Sequence, residues 1–546
     1  MKIKKMKINK AAVFWMMMGL WAGISHAQKT RDSLQSQTVT VTKSYTPTVR
    51  DADKISVNPP VVTGEDFSKK PVSYNPLDIE AVSTFMAEKG KLVRPRISAA
   101  YPANIPGYVE FATGNQKAFR LRSFYSHLFP SAWKTGAELG FFSLGNTVRD
   151  TLQTDPFYDL DVSLFANHTN RRRQWRFQTD YAGRWASYRD TLTPLTKLTT
   201  AFVNHHTGLR AGGEFYEGFL KNTALDYRFL SAYRGNEHNL KWHATTVFPV
   251  AGFDISTRFS AALTSGDAGG GYTNFQAGLF PAFRLEQQHL IFYLGFKLYF
   301  QNRRDVNDAV LFYPDIRIDY HMIPELLTVY MQYEGDIHTQ SYEDMTLENR
   351  FTALDTALVP TSVPYHFAGG FRGSIGTRMN YHLKLGVGRE KNHPFLQLAS
   401  LPEGLAFVPV YDRLDYFYFK VHLSYVANEN FETKIKFDYF QNSPAELPKA
   451  WNMEDYKLSW LMRLRAGKFG LRSDVYYIGP RYNFWNNQVV KTGEIVDVNL
   501  KLSYNIFKTL YLYVEGNNLL NRNDFIYYGY PVHGLHILGG ITYSFK

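Results

Sequence analysis

The residues able to do chemistry are scattered along this chain, not grouped. It has 546 residues, with 16 histidines and no cysteine. Without a thiol there is no disulfide framework, no thiolate metal site and no cysteine nucleophile. The histidines form neither HExxH nor another metal-ligand spacing. His205 and His206 are adjacent, and neighbours on a strand point to opposite faces, so the pair cannot share an ion by simple geometry. Gly269-Gly270-Gly271 precedes a strand pattern, whereas a phosphate-cradling loop opens a helix. No Gly-x-Ser-x-Gly elbow occurs. An enzyme is not expected, and neither is a cofactor or a resident metal.

The elements that position these residues follow from composition and periodicity. Lys+Arg total 61 against 49 Asp+Glu, a net +12. Five of those lysines (Lys2, Lys4, Lys5, Lys7, Lys10) lie in residues 1–27, which hold no acid. The thin remaining surplus does not point to nucleic acid. Ala11 to Ile24 is an apolar run, and Ser25-His26-Ala27 puts small residues at −3 and −1. Residues 1–27 thus read as a cleavable signal peptide, with cleavage after Ala27. As a helix the run would rise about 21 Å, short of a hydrocarbon core of about 30 Å. Beyond it no apolar run approaches the roughly 18 residues of a spanning helix.

From about residue 105 onward apolar residues recur at alternate positions. In His289–Phe300 one row is Leu290, Phe292, Leu294, Phe296, Leu298 and Phe300, and the other contains His289, Lys297 and Tyr299. Val496–Ile506, Tyr416–Tyr425 and Phe431–Tyr439 divide in the same way. Such alternation means strand. Segments of about ten residues suit a tilted strand crossing a bilayer. Turn residues close many of them, including Gly145-Asn146, Gly235-Asn236, Gly266-Asp267 and Asn428-Glu429-Asn430. Aromatics at segment ends, such as Tyr476-Tyr477, Tyr482, Trp485 and Tyr527-Tyr528, suit interfacial girdles. A soluble propeller would show a repeat of about 40–50 residues, and none is found. The expected fold is all-β: a transmembrane antiparallel β-barrel of roughly 18–22 strands, with one row facing lipid and the other a wet lumen. Lys501, Asp497, Lys434, Lys436, Glu432 and Asp438 fall on the lumen row as a mixed-charge lining. Arg171-Arg172-Arg173, with Arg176, Arg184 and Arg189, has two readings: a site for outer-leaflet phosphates and sugars or an anion-biased pore, and a solvated hairpin loop, which carries more weight.

Two ends carry a family resemblance. Gly516-Asn517-Asn518-Leu519-Leu520-Asn521 resembles the penultimate-strand motif of TonB-dependent outer-membrane receptors, although a plain polar turn would also fit. The final strand, with Tyr543 and Phe545 near its end, resembles the signal read by barrel assembly machinery. Near the N-terminus, Thr38-Val39-Thr40-Val41-Thr42 resembles a TonB box, an unpartnered β-branched segment suited to strand addition; a short strand or loose leader is the plainer reading. The Pro-rich stretch that follows is shorter than a full plug domain, as in short Bacteroidetes-type barrels. The resemblance implies residues 1–27 as signal peptide, 28–100 as a short extended periplasmic extension, and 101–546 as the barrel. It implies outer-membrane localisation and solute or nutrient passage. The implied partners are outer-membrane lipid and lipopolysaccharide, the assembly machinery, TonB and a surface lipoprotein. A passive porin and a structural or partner-binding barrel remain open.

Overall fold

The computed structural model describes residues 106–145, 157–189, 199–250, 253–302, 310–402 and 404–545. Residues 1–27, read above as a signal peptide, Thr38–Thr42 and the Pro-rich stretch lie outside them. The described chain forms one 22-stranded antiparallel sheet. It closes on itself because the first strand, Gly107–Gly114, pairs with both the second, Phe119–Leu128, and the last, His536–Phe545. Closure leaves no unpaired edge, which a bilayer requires of any sheet that crosses it.

The alternate rows settle onto opposite faces. In the strand Leu290–Asn302, Leu294, Phe296 and Phe300 are exposed on the outside, while Lys297 and Tyr299 are buried on the inside. The strand Ile495–Phe507 exposes Leu502 and Tyr504 and buries Asp497 and Asn499. The outer rows form an apolar belt matched to acyl chains; the inner rows are polar.

Connections at one end are short, as at residues 170–172, 376–378, 467–468 and 508–509. The first strand starts and the last strand finishes at that end, which is the periplasmic one in this architecture. The other end carries longer insertions: residues 339–360 with the helix Tyr342–Glu348, residues 445–455, 479–494 and 518–535. The hairpin of Met379–Leu401 and Gly404–Asn428 also belongs there, with strands of 23 and 25 residues. About ten residues cross a bilayer, so the distal half of this hairpin stands beyond it. A register shift between Glu390 and His393, with Asn392 at φ 56°, bends that half.

The Arg171-Arg172-Arg173 triplet sits at a tight turn of the short-connection end. The Asn170 side chain closes the turn by accepting from the backbone N–H groups of Arg172 and Arg173 at 2.9 and 2.8 Å. Arg172 pairs with Glu217 at 3.4 Å and Arg176 with Glu214 at 3.0 Å, all well exposed. The hairpin reading therefore holds, and the triplet lies far from the outer leaflet.

Candidate functional site: the mouth and the lumen wall

Three insertions meet across the mouth at the long-loop end. Thr352 forms a parallel bridge with Phe407 at the tip of the long hairpin. Ala353 N–H donates to the Phe407 carbonyl, and Phe407 N–H to that of Phe351, both at 2.9 Å. The last loop adds Tyr527 and Tyr530. The Tyr530 ring stacks on Phe351 at 4.0 Å, and its hydroxyl donates to the Leu405 carbonyl at 2.5 Å. Tyr527 donates to the Glu348 carbonyl at 3.0 Å and lies 5.4 Å from the Phe407 ring. Phe202, from the wall strand Thr199–Phe215, meets Phe351 edge-on at 5.3 Å. These residues share one apolar cluster with Ile478 and Ile495, in which Ala353, Phe407 and Ile478 are wholly buried. Tyr527, expected in an interfacial girdle, is part of this core instead, and Tyr482–Trp485 forms a small hairpin with Gln488–Lys491.

Polar side chains on the wall hold the 339–360 insertion in place. Ser341 caps the helix Tyr342–Glu348 by accepting from Asp344 N–H at 3.1 Å. Glu237, on the strand Gly235–Val250, takes the N–H groups of Tyr342 and Glu343 at 2.9 and 3.2 Å. The Tyr272 hydroxyl also donates to Glu237, as does Asn239 at 2.6 Å. Further along, Asn204 donates to the Arg350 carbonyl at 3.0 Å and Asn274 to that of Leu358 at 2.9 Å. The Arg350 guanidinium pairs with Asp159 at 3.2 Å and lies 3.9 Å over the Phe157 ring. Residues at this mouth thus come from strands separated by much of the sheet. Burial pushes the Glu343 carboxyl up to about 7, against the opposing pull of Arg228, 3.8 Å away.

The penultimate-strand motif acts at the root of the last loop. Asn518 and Asn521 adopt φ of 47° and 48°, a left-handed conformation that asparagine tolerates. Buried Asn518 donates to the carbonyls of Arg522 and His533, each at 2.9 Å, and accepts from Arg522 N–H at 3.1 Å. Asn521 accepts from Leu535 N–H at 3.1 Å. Asn517 donates to Glu515 at 3.1 Å. At Gly516 the exposed Leu519 side chain folds back over the backbone, its Cδ2 2.6 Å from where a Cβ would stand. The motif ties off the loop that delivers Tyr527 and Tyr530. Tyr543 is half exposed on the outer row, and Phe545 pairs with Gly107 at the closing seam.

The lumen wall carries charge networks. Lys297 pairs with Asp336 at 2.6 Å, and Tyr299 donates to the same carboxylate at 2.5 Å. Arg184 pairs with Asp161 at 2.5 Å. At the seam, Arg120 grips Glu515 through both terminal nitrogens at 2.9 Å, and Tyr513 donates to Glu110 at 2.6 Å. The mixed-charge lining is present on the inner rows: Lys434 with Glu432 at 2.9 Å, Asp438 with His422 at 3.1 Å, and Lys501 with Glu515 at 3.6 Å. His205 and His206 do not act together. His205 bonds Tyr181 at 2.8 Å on the outer row, and His206 is buried on the inner one. Sequence reasoning missed the 339–360 insertion and its Glu237 anchor. The available signals were Ser341 three residues before Asp344, an N-cap pattern, and the break in alternation after His338.

No family model and no curated protein matches the sequence. Solved structures do match its shape. The ferripyoverdine receptor of the outer membrane of Pseudomonas aeruginosa aligns with a TM-score of 0.62 at 12% identity, over 82% of this chain and 72% of that one. The copper transporter OprC gives 0.60 at 10% identity, over 80% of each chain. The siderophore receptor PiuA from Acinetobacter baumannii gives 0.59 at 8% identity, over 82% of each. The fold is that of the TonB-dependent outer-membrane receptors. At such identities the likeness speaks for the barrel architecture, and the residues that give this barrel its own character are those of its mouth and inner wall.

Proposed function

We propose that this outer-membrane barrel imports a nutrient solute, driven from the periplasm and not by open diffusion. The observation that carries this reading is the mouth, crossed by packed loops on a barrel of 22 strands with a polar interior. A passive porin needs a continuous aqueous path, and the Phe351–Phe407–Tyr530 core stands against one at this end. The fold shared with a copper transporter and siderophore receptors supports scarce solutes as the class carried.

On this reading residues 1–27 direct export, and Thr38–Thr42 add as a strand to TonB, which passes force to whatever occludes the lumen. Tyr543 and Phe545 serve recognition by the assembly machinery. The outer rows face lipid and lipopolysaccharide, and the long loops offer a surface to a lipoprotein partner. The test is deletion of residues 37–43 in cells that depend on the chain for a solute. Uptake is expected to stop while the amount of folded barrel in the outer membrane is unchanged. Uptake that survives the deletion overturns the energised reading.

A further inference from the structure

The strands Thr361–Ile375, Met379–Leu401, Gly404–Asn428 and Phe431–Pro444 align their inner rows into a basic patch, in the half of the wall nearer the short turns. Arg372 stands beside His382, His382 opposite His422, and His422 beside Lys436. In the next inner row Lys384 is directly opposite Lys420. Opposed residues of an antiparallel pair have Cβ atoms about 4.5–5.5 Å apart, where like charges repel.

An aromatic floor lies against this pair. The Tyr418 ring crosses onto Gly386, where a Cβ would fall 2.3 Å from the ring's Cζ, so only glycine admits it. The Lys384 and Lys420 Nζ atoms stand 5.6 and 5.1 Å from the centroid of that one ring. The Tyr418 hydroxyl is held by His366 Nε2 at 2.8 Å.

The neighbouring carboxylates include Asp438, the register partner of Lys420 on the next strand, and each has a closer cation than these two lysines. Asp319 pairs with Arg372 at 3.1 Å and Asp438 with His422 at 3.1 Å. Glu334 lies 3.6 Å from Lys297 and 3.5 Å from Arg317. Among the described residues, neither Lys384 nor Lys420 has a carboxylate within the 4.0 Å ion-pair distance. Lysines and arginines elsewhere on the wall, such as Lys297, Arg184 and Arg120, do have one. Two cations set against each other in a polar lumen cost stability, and an oxyanion bridging them reverses the sign of that interaction.

We propose that Lys384 and Lys420, with the Tyr418 ring lying against both, form a binding site for an oxyanion group, carboxylate or phosphate, of the solute that traverses the lumen. The assignment of solute traffic rests on the function proposed above; the site itself does not. Its test is calorimetric titration of the full mature chain, folded in detergent, with inorganic pyrophosphate and separately with succinate. Saturable binding of at least one is expected, and which of them binds separates phosphate from carboxylate. The double variant K384Q/K420Q should weaken that binding about tenfold or more, a change of about 1.4 kcal/mol per factor of ten. Lys508→Gln, in a turn outside the patch, should leave it unchanged. Heat-modifiable migration verifies that each variant is folded. Absence of saturable binding by the intact chain, or equal binding by the folded double variant, overturns the site. Because the titration needs no energised membrane, it can succeed even if uptake survives deletion of residues 37–43.

Discussion

At the scale of single residues, Glu343 and Arg120 carry the sharpest consequences. Glu343 has its carboxyl raised by burial from 4.5 to about 7. In the folded mouth it therefore holds a proton that the unfolded segment would release between those values. Its contribution is most favourable below pH 4.5 and is lost as pH rises to about 7. Hydrogen exchange of residues 339–360, corrected for intrinsic rates, should be faster at pH 8 than at pH 5, and Glu343→Gln should reduce that difference. An unchanged pH dependence in the variant would remove Glu343 from the explanation. At the seam, Arg120 is buried and bound twice to Glu515, joining the second strand to the strand Leu510–Asn517 across the closing pair. Arg120→Ala leaves Glu515 without its main partner, at a cost of roughly 3–5 kcal/mol. Urea unfolding in micelles should show the lower midpoint; an unshifted one would mean the seam holds without this pair.

At the scale of elements, the strands were legible and the mouth was not. Leu290–Asn302 and Ile495–Phe507 match the alternating segments to within two residues, because a strand's two faces are written in its own sequence. The 339–360 insertion is written elsewhere. Its helix is seven residues long, too short to form alone, and Glu237 lies 105 positions before the Tyr342 N–H it accepts. Tyr527 misled for the same reason: an aromatic at a segment end fits a girdle or a loop core equally well until its partners are known. Turn residues located hairpins but not their registers. Gly235 begins a strand, and the turn is Tyr233-Arg234, with Arg234 at φ 73°. Replacing residues 343–356 with a short Gly/Ser linker should open the mouth. Planar-bilayer recordings are expected to show larger or more frequent conductance steps than the intact chain, and identical traces would mean these residues do not obstruct passage.

At the scale of the whole molecule, the barrel is defined by which face of the cylinder meets lipid. Outer rows of Leu, Phe and Tyr match the barrel to a bilayer, and inner rows give it the polar interior through which the proposed uptake would run. The Lys384–Lys420 opposition exists only because the register of two strands aligns them, a fact no local pattern announces. The absence of cysteine makes a direct measurement simple. Single cysteines at positions 294 to 299, spin-labelled in liposome-reconstituted chain, report collision with oxygen from the lipid phase or with a water-soluble nickel chelate. Labels at 294, 296 and 298 should favour oxygen, and those at 295, 297 and 299 should not, giving a period of two. Uniform oxygen accessibility, or a folded chain that stays dissolved without lipid or detergent, would contradict the barrel.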